Sequence, residues 1–368
     1  MTTPGNPKPE PSAAAKAGAP RKTHRLGDSD YELEGKLGQG AMGKVYKAKQ
    51  LSQNRIVALK LLPKDMAQDE EFLERFRREA RAAMRLSHPN IVAAYDMGMA
   101  ENYHYIAMEF VDGPSLELYL QRKGRLTQAE VLKVALDMSA ALGEAEAHHI
   151  VHRDIKPGNI LFSNSQRLNK LTDLGLASAS EGDRRVTMAG YCVGTPYYVS
   201  PEQARGERDV DGRADIYSLG ATLYHLATGR LPFEGLNPLV IMGKHLQEEP
   251  PAPNVREPAV SAHVSALIQK MMAKDPAKRP QNALDLRVDI ERCMKGEMPL
   301  PPGVRPKPPP AEPGAPGQAS PAWLDRIVAS ADRLLPFLPA PARLPTLALA
   351  ATAAALGLLW MAIAILKH

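Results

Sequence analysis

Gly38-Gln39-Gly40-Ala41-Met42-Gly43-Lys44-Val45 is the most informative stretch of this 368-residue chain. Its spacing is G-x-G-x-x-G-x-V, and the segments 31–37 and 45–48 on either side are rich in strand-forming residues. A glycine triplet alone also marks ordinary turns and dinucleotide sites, but the dinucleotide pattern leads from a strand into a helix. Two strands joined by glycines can lay backbone N–H groups over a polyphosphate, because no Cβ stands in the way. The stretch therefore predicts a hairpin that covers phosphate groups.

The next apolar run, residues 56–62, predicts a strand that carries Lys60. A period of two places Ile56, Ala58 and Lys60 on one face. A buried charge without a partner is costly, so Lys60 needs one unless it snorkels at the strand end. Glu79 borders the apolar stripe of a helix predicted over residues 69–86. We expect Lys60 to pair with Glu79 and to hold phosphate oxygens.

Two polar loops further along supply carboxylates and a carboxamide. Residues 152–159 (His-Arg-Asp-Ile-Lys-Pro-Gly-Asn) follow a predicted helix, and Asp173 follows two short predicted strands, 160–162 and 168–171. Such groups suit Mg²⁺-assisted phosphoryl transfer, with Asn159 and Asp173 as metal ligands and Asp154 as acceptor of the substrate hydroxyl proton. An Asp-Leu-Gly turn alone is weak evidence, but five such elements in this order are not a coincidence.

Together these motifs resemble the bacterial eukaryotic-like (Hanks-type) serine/threonine protein kinases over about residues 31–293. The match continues through residues 194–202, 215–220 and 278–280. The resemblance implies an α+β, bilobal protein kinase fold with a small β-rich N-lobe and a larger helical C-lobe. It also implies ATP as phosphoryl donor, Mg²⁺ (for which Mn²⁺ can substitute), and protein substrates phosphorylated on serine or threonine.

The resemblance assigns roles to individual residues. Catalysis falls to Asp154, Lys156, Lys60 and Glu79, and Lys156 neutralises charge on the transferred group. Structural roles fall to Thr195 beside the catalytic loop, to Asp215, which fixes that loop, and to Glu202, which pairs with Arg279. Met108 is the gatekeeper, and 109–111 is the adenine-binding hinge. The implied ATP contacts are Leu37, Gly38, Gln39, Gly40, Ala41, Met42, Gly43, Lys44, Val45, Ala58, Lys60, Met108, Glu109 and Val111.

Departures from the family pattern are small. Leu174 stands where phenylalanine is usual, and Ser200 stands where alanine is usual before Pro201-Glu202. Neither change removes a catalytic group. The intact Asp154, Asn159 and Asp173 argue against an idle scaffold that only binds nucleotide, and the peptide-positioning segment 194–202 argues against a small-molecule kinase.

Thr187 is the candidate for regulatory phosphorylation. It lies between the metal-binding loop and Glu202, and it matches a position phosphorylated in related kinases. Arg153, directly before Asp154, resembles kinases whose activation segment is ordered by phosphate–arginine pairing. The alternative is an ordinary solvated loop threonine.

Composition excludes several classes of protein. Lysine and arginine total 46 against 41 aspartates and glutamates, a net charge of +5, which gives no reason to expect nucleic-acid binding. The two cysteines, Cys192 and Cys293, exclude a disulfide scaffold and fit a reducing compartment. Residues 1–27 lack an apolar run, which predicts a disordered tail rather than a signal peptide.

The C-terminal part predicts a linker and a membrane anchor. Residues 296–322 are rich in proline, which predicts an extended linker. Residues 344–366 carry no charge and would span about 35 Å as a helix, enough to cross a bilayer. A buried core helix is the alternative. Arg326, Arg333 and Arg343 precede this stretch, which places the kinase domain in the cytoplasm under the positive-inside rule. Only Lys367 and His368 follow it, so we expect no folded domain beyond the membrane.

Residues 323–335 predict an amphipathic helix next to the membrane. Their apolar residues recur at helical spacing, and binding to the membrane lipid surface or packing on the kinase would both explain them. Ala353 and Gly357 in the predicted span have the spacing that permits helix pairing, and hence a homodimer. The apolar residues of the stripe are Trp323, Leu324, Ile327, Val328, Ala331, Leu334 and Leu335.

Overall fold

An antiparallel sheet forms the amino-terminal part of the chain. The computed structural model describes residues 24–40, 43–62, 67, 69–173 and 196–306. The sheet has the strand order β1-β2-β3-β4-β6-β5, and a helix, α1 (Glu70–Ala83), lies between β4 and β5 in the chain. The strands are β1 (His24–Arg25), β2 (Tyr31–Gly40), β3 (Gly43–Gln50), β4 (Arg55–Leu61), β5 (Ala94–Ala100) and β6 (Tyr103–Glu109).

The predicted glycine hairpin is present as β2 and β3. Gly38 pairs with Val45 and Gln39 with Lys44, so the glycines stand at the tip of the hairpin. Strand β4 lies inside the sheet, between β3 and β6, and apolar side chains cover both of its faces. Val57 and Leu59 belong to one buried cluster, whereas Leu62, just beyond β4, belongs to a second cluster that includes Phe76 of α1. Burial on both faces explains why this run is nearly continuous in apolar residues.

Helices dominate the rest of the described chain. A two-stranded hairpin, β7 (Ile160–Ser163) and β8 (Leu168–Leu171), interrupts them at the predicted position. The helices are α2 (Leu116–Lys123), α3 (Gln128–Ala147), α4 (Pro201–Ala204), α5 (Gly212–Thr228), α6 (Pro238–Gln247), α7 (Pro253–Arg256), α8 (Ala262–Met271) and α9 (Ala283–Met294). The sheet and the helical part make two lobes of an α+β fold.

Local sequence explains where the long helices begin and end. Thr127 and Glu130 form a capping box at the start of α3. The predicted apolar stripe of α3 (Val131, Ala135, Met138 and Leu142) is buried. Asp211 caps the start of α5, and Gly229 ends it with a φ of 69°. Helix α5 is buried along nearly its whole length and forms the centre of the helical lobe.

The first residues of the proline-rich segment lie against α9. The Leu300 N–H donates to Asp289 at 2.8 Å, and Arg305 Nε lies 3.1 Å from Asp285. The chain divides into two units, residues 1–306 and 307–368, and the second lies outside the described residues. Of the predicted tail 1–27, residues 1–23 lie outside the described residues, as do stripe 323–335 and span 344–366. Residues 24–27 differ from that prediction, because His24–Arg25 forms β1 and pairs with β2, and Leu26 is buried. Within the described ranges no helix is long and apolar enough to cross a bilayer.

Candidate functional site

Lys60 and Asp173 meet between the two lobes. The Lys60 Nζ lies 2.7 Å from the Asp173 Oδ1, although the residues are 113 positions apart. Lys60 is 6% exposed, whereas the Asp173 side chain is 41% exposed. Burial alone would raise the pKa of Asp173, but the nearby Lys60 ammonium outweighs it and holds that pKa below its usual value. The Glu79 side chain is not among the described parts, so the expected Lys60–Glu79 pair stays a prediction.

Asp154 stands at the centre of a compact polar loop. Lys156 Nζ lies 2.9 and 2.7 Å from its two carboxylate oxygens. Asn159 donates through Nδ2 to the Asp154 backbone oxygen at 2.8 Å and to Oδ2 at 2.9 Å. Because the Asn159 amide nitrogen is used inside the loop, its Oδ1 is the atom left for a cation. The Asp154 carboxylate is 47% exposed and can be reached by a substrate.

Asp215 binds the backbone of this loop through two hydrogen bonds. Its carboxylate accepts the backbone N–H groups of His152 and Arg153, each at 2.7 Å. Arg153 has a φ of 66°, a left-handed conformation that is costly for a side chain with a Cβ and that these bonds help to maintain. Asp215 is 1% exposed, and burial raises its pKa above the ordinary value, although the two N–H donors oppose this.

His152 joins the Asp154 loop to the Asp173 loop. Its Nδ1 accepts the Asp154 N–H at 3.2 Å, so Nε2 carries the hydrogen and donates to the Thr172 oxygen at 3.0 Å. The Thr172 N–H in turn donates to the backbone oxygen of Asn159 at 2.9 Å. The structure therefore brings Asp154, Asn159 and Asp173 together at adjacent chain segments.

Glu202 and Arg279 form a buried ion pair. The guanidinium contacts the two carboxylate oxygens at 2.6 and 3.0 Å, in bidentate geometry. Ser200, the unusual residue before Pro201, caps α4 by accepting the Gln203 N–H. An alanine at this position could not accept this hydrogen bond. The serine, which departs from the family pattern, therefore stabilises the start of α4.

The hinge segment follows β6. Ala58 of β4 and Met108 of β6 are paired neighbours across the sheet, and the Leu37 side chain is 49% exposed near the hairpin tip. A cavity of about 20 Å³ lies behind Met108 and reaches Asp173. The Glu109 carboxylate does not face this cavity but pairs with the buried Lys170 of β8 at 2.9 Å.

Sequence reasoning missed several residues that support the site. Lys170 gives no local signal, because its partner Glu109 lies 61 positions away. Gln203 Nε2 donates to the Arg153 oxygen at 2.8 Å, which also links distant segments. Ala41, Met42, Leu174, Thr187 and Thr195 lie outside the described residues.

Asn159 and Asp173 fit a partial magnesium site. The described residues contain no group of three or more histidines, cysteines, aspartates or glutamates able to hold an ion by themselves. Mg²⁺ commonly takes one or two protein oxygen ligands and completes its shell with water and substrate phosphates. A carboxylate and a carboxamide oxygen on adjacent segments suit that arrangement.

Comparisons with known proteins agree with this geometry. Residues 31–288 match the protein kinase domain. The chain is 42% identical over 279 residues to the serine/threonine-protein kinase PknB of Mycobacterium tuberculosis, an alignment that covers 74% of this chain and 44% of PknB. It is 39% identical over 274 residues to the serine/threonine-protein kinase pkn3 of Myxococcus xanthus, covering 72% and 50% of the two chains. The chain thus spans half or less of the length of these relatives.

A solved structure gives the same result for the fold. The crystal structure of the M. tuberculosis PknI kinase domain superposes with a TM-score of 0.58 and 31% sequence identity. The alignment covers 74% of this chain and 99% of that domain. Sequence match, bilobal architecture and clustered polar loops lead to one conclusion: the chain belongs to the protein kinase family.

Proposed function

We propose that this protein transfers the γ-phosphate of ATP to serine and threonine hydroxyls of proteins. The observation that carries the proposal is the cluster of Asp154, Lys156 and Asn159 linked through His152 to the Asp173 loop. The printed names of the relatives, serine/threonine-protein kinases, support the same activity.

Asp154 acts as the proton acceptor in this proposal. Its exposed carboxylate takes the proton of the substrate hydroxyl as that oxygen attacks the γ-phosphorus, and the bond from phosphorus to the ADP oxygen breaks, so that ADP leaves. Lys156, now bound to both Asp154 oxygens, is close enough to neutralise charge on the transferred group. Catalysis then consists mainly of positioning and charge compensation.

Lys60 and Asp173 supply the contacts to nucleotide and metal. The Lys60 side chain is buried, whereas the Asp173 carboxylate is partly exposed. A phosphate oxygen at Lys60 and a cation at Asp173 can therefore replace the contact between the two side chains. Asn159 and Asp173 would hold Mg²⁺, for which Mn²⁺ can substitute, and the ion would neutralise negative charge on the phosphates of ATP. The hairpin glycines 38, 40 and 43 cover the phosphates through their backbone N–H groups.

Regulation and location complete the proposal. The enzyme phosphorylates its own activation segment at Thr187, where the added charge pairs with Arg153. The span 344–366 anchors it in the cell membrane with the kinase domain on the cytoplasmic side, and pairing of two spans raises the local concentration for mutual phosphorylation. The charge-free stretch and the preceding arginines support this location.

The isosteric change Asp154→Asn tests the activity. We expect it to lower the rate of phosphate transfer from radiolabelled ATP by about 10²–10⁴-fold, the usual contribution of a general base. The fold should persist, since an amide can still bond Lys156. Asp209→Asn, which changes an exposed carboxylate outside the cluster, is the matched control and should keep full activity.

Three results discriminate between the readings. Normal turnover by Asp154→Asn would contradict the role of Asp154. A folded wild-type enzyme that binds nucleotide but transfers no phosphate would favour an idle scaffold. Phosphate mapped by mass spectrometry to the terminal segments, with none at Thr187, would contradict the regulatory part alone.

A further inference from the structure

The turn Pro196–Tyr198 is fastened to the helical lobe by two histidines. His245 Nε2, on α6, lies 3.1 Å from the Tyr197 backbone oxygen. The Tyr198 hydroxyl lies 2.7 Å from His225 Nδ1, on α5, and the two rings stack. The backbone at Tyr197 is therefore held by a side chain from a helix that follows it by some forty positions.

The hydrogen bonds around His245 run in one direction. A carbonyl oxygen only accepts, so Nε2 of His245 carries the hydrogen. Its Nδ1 then accepts from the Tyr217 hydroxyl at 2.9 Å, and that hydroxyl accepts from Lys274 Nζ at 3.2 Å. The relay Lys274–Tyr217–His245–Tyr197 fixes a single neutral tautomer of the imidazole. Burial lowers the pKa of His245 to about 3, so it stays neutral at physiological pH.

Packing fixes the imidazole in place as well. His245 is fully buried. Phe233 meets the ring edge-on at a centroid distance of 4.8 Å, and Tyr217 lies at 5.7 Å. An enclosed ring with both nitrogens bonded cannot turn without breaking two hydrogen bonds.

The position of this turn matters for the reaction. The chain passes from it through Ser200 into α4, where Gln203 donates to the Arg153 oxygen at 2.8 Å. Arg153 directly precedes Asp154. The turn is therefore tied to α6 on one side and to the loop of the proton acceptor on the other. Small displacements of a substrate relative to a catalytic group cost much rate.

We propose that His245 is a positioning residue for the protein substrate. Through the Tyr197 carbonyl it sets where the substrate-contacting turn lies relative to Asp154. The inference rests on the proposed kinase function and on the resemblance to protein kinases, which implies that segment 194–202 positions the peptide substrate. Loss of the hydrogen bond should then weaken the use of a protein substrate and leave the use of ATP unchanged.

Steady-state kinetics of the full-length enzyme test this inference, with casein as the protein substrate. We expect His245→Ala to raise the KM for casein about fivefold or more, the equivalent of one lost hydrogen bond, while the KM for ATP changes less than about twofold. His245→Gln should recover much of the loss, because its side-chain amide can donate to the Tyr197 oxygen. Ile241→Ala, a buried position on the same helix without a bond to the turn, is the control for general destabilisation.

Each outcome decides something. A casein KM equal to that of wild type in His245→Ala would overturn the inference. A rise of the same size in Ile241→Ala, or no recovery in His245→Gln, would assign the effect to packing of α6 and overturn it as well. If the wild-type enzyme phosphorylates neither casein nor itself, this result would instead contradict the proposed kinase function, on which the inference rests.

Discussion

Each buried lysine or arginine side chain among the described residues contacts a carboxylate. Lys270 pairs with Asp289 at 2.6 Å, and both side chains are almost fully buried. Arg279 pairs with Glu202 in the same way. The Lys60–Asp173 pair differs, because one member is 41% exposed. The first two pairs are therefore structural, whereas the third can open to a ligand.

Glu202→Gln should destabilise the fold strongly. Arg279 is fully buried, and removing the negative charge leaves it uncompensated, at a cost of about 3–5 kcal/mol in the free energy of unfolding. Glu291→Gln is the control, since the Arg287–Glu291 pair is about half exposed on both sides and should change that free energy by less than about 0.5 kcal/mol. Denaturant unfolding measures both. Equal effects in the two variants would contradict the difference in burial.

Lys274 should make stability depend on pH in the alkaline range. Burial lowers its pKa to about 8, with Arg279 adding to the effect and Glu248 and Glu249 opposing it. Between about pH 8 and its usual pKa the unfolded chain binds this proton and the folded chain does not. The free energy of unfolding therefore gains a contribution as pH rises through this window. Because Lys274 is only partly buried, solvent screening makes this contribution smaller than the change in pKa alone would give.

Lys274→Met isolates this contribution from other groups that titrate there. The stability difference between wild type and variant, measured by denaturant unfolding from pH 7 to 10, should shift in favour of wild type as the pH rises. A difference that stays constant over this range would mean that the lysine keeps an ordinary pKa.

At the scale of elements, the β7–β8 hairpin is bonded to residues 112–114, which directly follow the hinge 109–111. Asp112 accepts hydrogen bonds from Ser163 and from the backbone of the following two residues. The Phe162 N–H donates to the Pro114 oxygen at 2.9 Å. Gly113 lies so close that an added Cβ would stand 1.8 Å from the Phe162 oxygen. The absence of a side chain at Gly113 permits this approach.

Gly113→Ala should push the hinge away from the hairpin. We expect a loss of about 1–3 kcal/mol in the free energy of unfolding. We also expect a higher KM for ATP, because the proposed adenine contacts lie at 109–111, just before Gly113. Gly243→Ala, in α6, meets no atom within 4 Å and should instead stabilise by about 0.5–1 kcal/mol. Thermal unfolding and ATP kinetics check both. An unchanged KM for ATP in Gly113→Ala would show that the hinge does not depend on this contact.

At the scale of the whole molecule, the described site residues all precede Pro306. The unit 1–306 contains both lobes, and the predicted span belongs to the unit 307–368. Deleting residues 344–368 should therefore release an active kinase into the soluble fraction of cells. The full-length chain is the control and should sediment with membranes. If the shortened protein still sediments after a high-salt wash, stripe 323–335 binds membranes by itself.

The sequence by itself determined the local structure and the family. Apolar periods predicted β4, α3 and the β7–β8 hairpin, because side-chain spacing encodes which face is buried. Helix ends were less accurate: a helix over 69–86 is observed as Glu70–Ala83. The motifs also predicted which polar loops meet at the site. This was possible because the residues of each motif are contiguous in the chain.

Only the tertiary structure decided which buried polar groups bond to each other. The contacts of Lys60 with Asp173, of Lys170 with Glu109 and of His245 with Tyr197 join residues 113, 61 and 48 positions apart. Local periodicity says that such a side chain is buried, but its partner depends on how distant elements pack. A buried polar group needs a hydrogen-bond or ion-pair partner. In this protein the packing of distant elements in the two lobes determines which residue is that partner.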